Sequence, residues 1–409
     1  MKTLPLKIVI ISDWYSEGMG YAENFLPKAL AAQGHDVHLL TSTAQVYYTS
    51  KSYNKTYEPF LGPSVVDPVV KIIDGYTLHR LPLIPSKLNG MPGIEGLYSY
   101  LECLSPQIVQ VFEIASSTTF IAADYCTKTG CKLFIESHTH ASVFKGADKR
   151  YPLGILINAV NLFRCYWYRK ALSNVNEATI KCYPIASDVA KIVENEFGIS
   201  KQKIEIQSLG VDTSIFHPPK GDFVDELVKL RKKIGLEENS FVCIYTGRFS
   251  SSKNPQCLAK AVGNLQKKGV NIQGLFVGNG TELEVDEINK HKGCFVHPFV
   301  PVNDLRKFYW IANIGVWPAQ ESTSQLDAIA CGLPIIVSSN VKVSERVDGN
   351  GLLYRDGDEI NLEEKIYQMY LNEDIQGMSE IGLSKIETQF SWNAIAKCRI
   401  SDYQRAIMG

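Results

Sequence analysis

Two cations five positions apart, Arg248 and Lys253, lie in the small-residue stretch Tyr245-Thr246-Gly247-Arg248-Phe249-Ser250-Ser251-Ser252-Lys253-Asn254-Pro255. An apolar run precedes the stretch and a helical pattern follows it, so the pair is expected on a strand-end loop. The stretch, with Gly247 in it, is a Gly/Ser loop, and two cations on such a loop can neutralise one diphosphate in place of a metal ion. A solvated charge pair is the plain alternative. Glu321 is expected just after a later strand, and Asp327 on the helix that begins near Ser324. Two carboxylates so placed suit the vicinal hydroxyls of a sugar or a ribose. Ser322, Thr323 and Ser324 add hydroxyls and unpaired backbone N–H groups at that helix start. Capping by Ser322 or Thr323, with Asp327 favoured by the helix dipole, is the competing explanation.

A third loop, Ser12 to Gly20, places Gly18 and Gly20 before a helix, where an anionic group is favoured. A dinucleotide fingerprint would set the glycines directly after the strand and an acid at the end of the second strand. Here five residues intervene and the second strand ends Leu40-Thr41-Ser42, which argues against NAD.

These loops need strands to carry them. Apolar runs rich in Ile and Val cover 6–12, 37–42, 77–83, 108–113, 132–136 and 178–185. A second series covers 204–209, 242–246, 274–278, 294–299, 314–317 and 334–338. Several runs are apolar without alternation, as when helices cover both faces of a parallel sheet. Helical patterns at 22–33, with Gly34 as a stop, and at 256–268 and 324–331 alternate with them. The reading is α/β, with two Rossmann-like doubly wound domains facing across a cleft. The first domain is expected over 1–186 and the second over 187–391, with a terminal helix over 392–409. The weakly periodic stretch 43–76 is expected to be a long loop or insertion.

Composition narrows the partners. Forty-two Lys and Arg against 43 Asp and Glu leave a net charge of −1, a poor match for a nucleic-acid polyanion. No stretch of 18 uncharged apolar residues is present, and the apolar start reads as a first strand, so a cytoplasmic chain is expected. Ten cysteines contain no C-x-x-C, so reduced buried thiols are expected rather than a metal site. The segment 145–170 sets basic residues beside Trp and Tyr, as peripheral membrane contact would need. Its near-continuous apolarity over 151–163 suits a buried helix better.

Taken together, the motifs resemble the retaining GT-B-fold glycosyltransferases of family 4, the glycosyl transferases group 1. The resemblance rests on Gly34-His35, on Gly210-Val211-Asp212 with Phe216 and Pro218, on Gly247-Arg248 with Lys253, and on Val277-Gly278-Asn279-Gly280. It continues through Asp327-Ala328-Ile329-Ala330-Cys331-Gly332-Leu333-Pro334, Asp348-Gly349-Asn350-Gly351 and Phe390-Ser391-Trp392. It implies a nucleotide-sugar donor, a glycan or lipid-linked acceptor, retention at the anomeric carbon and no cofactor or metal. Arg248 and Lys253 would then face the leaving diphosphate, Asp327 the ribose, and Glu321 with Ser322 to Ser324 the sugar. His138 falls where the family has a histidine near the donor sugar, with His140 as the alternative, and the terminal helix would return to the first domain. The family's paired glutamates are altered: Ala319 stands eight residues before Asp327, and Glu321 is the nearby acid, on a loop two residues shorter. Asp356-Gly357-Asp358 has the form of a metal-binding D-x-D but falls on a family turn. A nucleotide-sugar epimerase of the same fold and a catalytically degenerate partner subunit are the rival readings.

Overall fold

The computed structural model describes residues 4–51, 53–85, 93–140, 166–319, 321–341 and 344–409. The chain forms two compact units, Met1–Ser208 with Ile395–Gly409, and Leu209–Ala394.

In the first unit the strands are β1 (Lys7–Ser12), β2 (Asp36–Ser42), β3 (Val69–Ile73), β4 (Tyr76–Leu81), β5 (Leu83–Ile84), β6 (Gly93–Ile94), β7 (Ile108–Val111), β8 (Lys132–Ser137) and β9 (Thr179–Pro184). Seven of them form one sheet in the order β3-β4-β2-β1-β7-β8-β9, parallel except for the β3–β4 pair, and β5 pairs with β6 alone. Ile8 to Ile11 on β1 are at most 1% exposed, which explains a run apolar on both faces. Helix Ala22–Ala32 buries Ala22, Leu26, Ala29 and Leu30, the three-to-four spacing of one covered face. Winding reverses between β1 and β7, and the loops after those two strands flank the switch point, where open α/β sheets bind ligands.

The second unit holds β10 (Phe241–Arg248), β11 (Ile272–Asn279), β12 (Cys294–His297), β13 (Ile314–Trp317), β14 (Ile335–Ser338) and β15 (Gly351–Tyr354). Its sheet is wholly parallel in the order β12-β11-β10-β13-β14-β15, so the switch point falls between β10 and β13. The Gly-Val-Asp segment is stitched to the end of this unit: Val211 N donates to Phe390 O at 2.8 Å, and Trp392 N to Val211 O at 3.2 Å.

Three expectations need correction. The units part at Ser208/Leu209 rather than after residue 186, because helix Ser187–Asn195 buries Val189, Ile192 and Val193 in the first unit. The run 204–209 opens no second sheet; Glu205 N and Gln207 N donate to Cys182 O and Pro184 O, both at 3.0 Å, laying it along β9. The stretch 43–76 is not one loop, since it contains one-turn helices at Tyr53–Thr56 and Glu58–Leu61 and the exposed edge strand β3. Helix Trp392–Met408 belongs from Ile395 onward to the first unit, where Asp402 accepts from Tyr183 Oη at 2.7 Å and pairs with Lys181 Nζ at 2.9 Å.

Candidate functional site

At the switch point of the second unit, β10 and β11 end on the register pair Gly247–Gly278. A Cβ on Gly278, whose φ is +153°, would sit 1.8 Å from the Gly247 carbonyl oxygen, so only glycine allows this approach. The pairing delivers Arg248 to an exposed lip, where its guanidinium makes no hydrogen bond with any described residue. Five residues on, Lys253 Nζ donates to the backbone carbonyl of Glu321 at 2.9 Å. The loop after β10 is thereby fastened to the loop after β13. Burial, reinforced by the Arg248 charge and partly offset by Glu321, holds the Lys253 ammonium below its ordinary pKa. Two cations thus stand near one another at a strand end, with the Glu321 charge beside Lys253.

The loop after β13 departs from its expected roles. Ser324 Oγ accepts from Trp317 Nε1 at 3.0 Å and lies 2.6 Å from Ser322 Oγ, so both hydroxyls are engaged inside the loop. Trp317 Nε1 also reaches Thr246 O at 3.2 Å, which locks this loop to β10. Thr323 is exposed and precedes helix Ser324–Ala330 without a side-chain cap, which removes it as a capping residue. Asp327 is half-buried on that helix, and burial pushes its carboxyl up to about 8. It is therefore a neutral acid at pH 7, able to donate as well as accept.

Arg346 was not singled out from the sequence. It is 5% exposed, and its Nη1 donates to Ser322 O and Gln325 Oε1, both at 3.3 Å. Burial lowers its pKa, and the Glu321 charge opposes that, so Glu321 is felt by two cations. The only sequence signal was a lone basic residue in a turn, and nothing local ties it to a loop 24 residues upstream.

In the first unit, Gly18 and Gly20 take φ of +81° and +72° in the loop after β1. His138 follows β8, with Nε2 2.9 Å from Glu136 Oε2. Burial disfavours its imidazolium, but the Glu136 bond and the Glu136, Glu113 and Glu23 charges outweigh it, so the pKa is raised. His140 is occupied by Asp188 at 3.1 Å. Asp13 and Glu113, after β1 and β7, and Glu23 were all missed. Burial lifts their carboxyls to about 6, 7 and 7 respectively. An acid within two residues of the end of each strand at the switch point, Asp13 after β1 and Glu113 after β7, was the available signal.

The D-x-D acids serve the turn: Ser338 Oγ donates to Asp356 at 2.5 Å, and Asp358 caps helix Glu359–Tyr370. Among the described residues, the group with metal-ligand spacing is Glu205, Cys398 and Asp402, and Lys181 pairs with both of its carboxylates. Most of the segment 145–170 lies outside the described residues. No helix among the described residues is long and apolar enough to cross a membrane.

The sequence model of the family described as glycosyl transferases group 1 matches residues 240–372, the stretch that contains both fastened loops. These residues form a glycosyl transferases group 1 domain. The chain is 23% identical over 221 residues to a D-inositol 3-phosphate glycosyltransferase of Xylanimonas cellulosilytica, a match covering 51% of this chain and 53% of that protein. The chain thus spans about half the length of the curated relatives it matches. A glycosyltransferase from Rickettsia africae superposes with a TM-score of 0.69 at 14% identity, covering 99% of both chains. Anabaena HepE, solved in complex with UDP, gives 0.66 at 14% identity, covering 98% of this chain and 100% of that one. These likenesses show the fold: two Rossmann-like units of the GT-B class, the second carrying the group 1 domain.

Proposed function

We propose that the protein is a glycosyltransferase that takes a sugar from a nucleoside-diphosphate sugar and passes it to a glycan or lipid-linked acceptor, with retention and without a metal. The observation that carries the reading is the fastening of Lys253 to the Glu321 carbonyl beside the exposed Arg248 guanidinium, which makes no hydrogen bond among the described residues. It sets two cations at the switch point of the group 1 domain. Negative charge builds on the diphosphate as the sugar leaves, and cations already held in place stabilise it without reorganising. An anion also offsets the burial and, to a smaller extent, the Arg248 repulsion that lower the Lys253 pKa. Asp327 is suited to the ribose because a neutral acid can bond one hydroxyl as donor and the next as acceptor. Glu321, whose charge is felt by both Lys253 and Arg346, is the acid we assign to the sugar.

HepE, the structural relative, was solved with UDP, which supports a nucleoside diphosphate as the ligand class. A donor-consumption assay over UDP-, GDP- and ADP-sugars, with EDTA and no acceptor, tests the reading. Slow hydrolysis is the expected result. An isomerised donor would indicate an epimerase, and an inert chain that also gains no thermal stability from any donor would indicate a degenerate partner subunit.

A further inference from the structure

The terminal helix carries Arg399 into the interior of the first unit, where it is 2% exposed. Its Nη2 donates to Glu136 Oε1 at 3.1 Å, and the guanidinium carbon lies 3.1 Å from the centre of the Tyr183 ring. Glu136 is 3% exposed and also accepts from Gln110 Nε2 at 2.6 Å on that same oxygen. Gln110 in turn is held by Tyr403 Oη of the terminal helix. The other Glu136 oxygen, Oε2, meets His138 Nε2 at 2.9 Å. One buried carboxylate on β8 therefore joins a cation on the returning helix to an imidazole at the strand end.

Anchoring the helix does not require this arrangement. Asp402 already ties the helix to β9 through Tyr183 and Lys181. We propose that Arg399 is a positioning residue for His138: acting through Glu136, it fixes the ring and tempers the imidazole's hold on its proton. The inference rests on the transferase reading only in assigning His138 to the substrate.

The groups facing His138 come from three elements: Glu136 on its own strand, Glu113 after β7, and Glu23 on helix Ala22–Ala32. The Phe112 ring packs edge-on at 5.6 Å. Glu23 and Glu113 both have carboxyls near 7 and are each only partly ionised at neutral pH, whereas the Glu136 carboxyl is held below its ordinary range. Burial pushes the Glu136 carboxyl up, and Arg399, followed by His138, more than reverses that. With Arg399 removed, the Glu136 carboxylate faces His138 alone in a buried setting. The pair then keeps its proton to higher pH. With Glu136 made neutral, the imidazolium loses its first support and burial drives the proton off at lower pH.

The test is an NMR titration of the full chain with carbon-13-labelled histidine, His138 being assigned by the signal lost in His138→Asn. Arg399→Met should move the His138 titration up by about one pH unit, the scale on which one neighbouring charge acts. Arg399→Lys should stay near the wild type, and Glu136→Gln should move the titration down. A folded Arg399→Met chain that titrates with the wild type overturns the proposal. If that variant does not fold, a Glu136→Gln chain titrating with or above the wild type overturns it instead. No substrate is present, so the two readings separate. A shifted His138 in a chain without transfer activity removes the transferase reading alone, and an unshifted His138 in an active enzyme removes the positioning role alone.

Discussion

Replacing Asp327 by Asn keeps the size and burial of the side chain and removes its ability to ionise. In the wild type this carboxyl is pushed from 3.8 up to about 8 by burial. The folded-state value lies above the unfolded one, so the bound proton stabilises the fold fully below about pH 4. That contribution is lost as pH rises through 8. At 1.36 kcal/mol per unit, the wild type should lose roughly 2.7 kcal/mol from pH 5 to 7 and roughly 1.4 kcal/mol more from pH 7 to 9. Asp327→Asn should lack this slope, while the buried acids of the first unit contribute equally to both proteins. The assay is urea unfolding of wild type and variant at pH 5, 7 and 9, read as the difference between them. Wild type should gain on the variant toward acid and fall behind toward alkali. Parallel stability at all three values would refute the buried-acid account of Asp327, and with it the neutral partner assigned to the ribose.

Gly278→Ala places a methyl against the Gly247 carbonyl at a φ that side chains avoid, and should cost about 3 kcal/mol or more. Differential scanning calorimetry should show the second unit melting roughly 10 °C lower, and a loss under about 2 °C would contradict the close approach. Glu321→Gln keeps the backbone carbonyl that Lys253 grips, so nucleoside diphosphate affinity in calorimetry should hold within about twofold. Transfer should fall by more than about tenfold, since a charge-assisted bond to a sugar hydroxyl contributes about 1.5–3 kcal/mol.

The strands that carry the site were legible because they are buried on both faces. Ile8 to Ile11, Val242 to Tyr245 and Ile314 to Trp317 read as unbroken apolar runs, and each is a strand within a residue or a few of the expected bounds. β3 escaped because an exposed edge strand need not alternate. Its hairpin turn was nonetheless written as Asp74-Gly75, with φ of +46° and +88°. The run 204–209 misled because extended chain beside β9 looks like a strand whichever sheet it serves. Arg248, Lys253 and Glu321 could be chosen by their place after strands, whereas Arg346 acts on a loop that only the β14 crossover brings near it. The same holds for Arg399, which reaches Glu136 from 263 residues away. Ser322 and Ser324 show the converse. Their types suggested ligand hydroxyls, but the nearby Trp317 indole claims Ser324, and Ser324 claims Ser322.

In the proposed reaction Arg248 and Lys253 together hold a diphosphate without a metal. Isothermal titration of UDP, GDP and ADP into the full chain in EDTA tests it most directly. At least one nucleotide should bind, and Arg248→Ala and Lys253→Ala should each weaken it by roughly tenfold to a hundredfold, about 1.5–3 kcal/mol for a hydrogen bond to a charged group. Binding that requires a divalent ion, or that survives unchanged in both variants, would contradict the account.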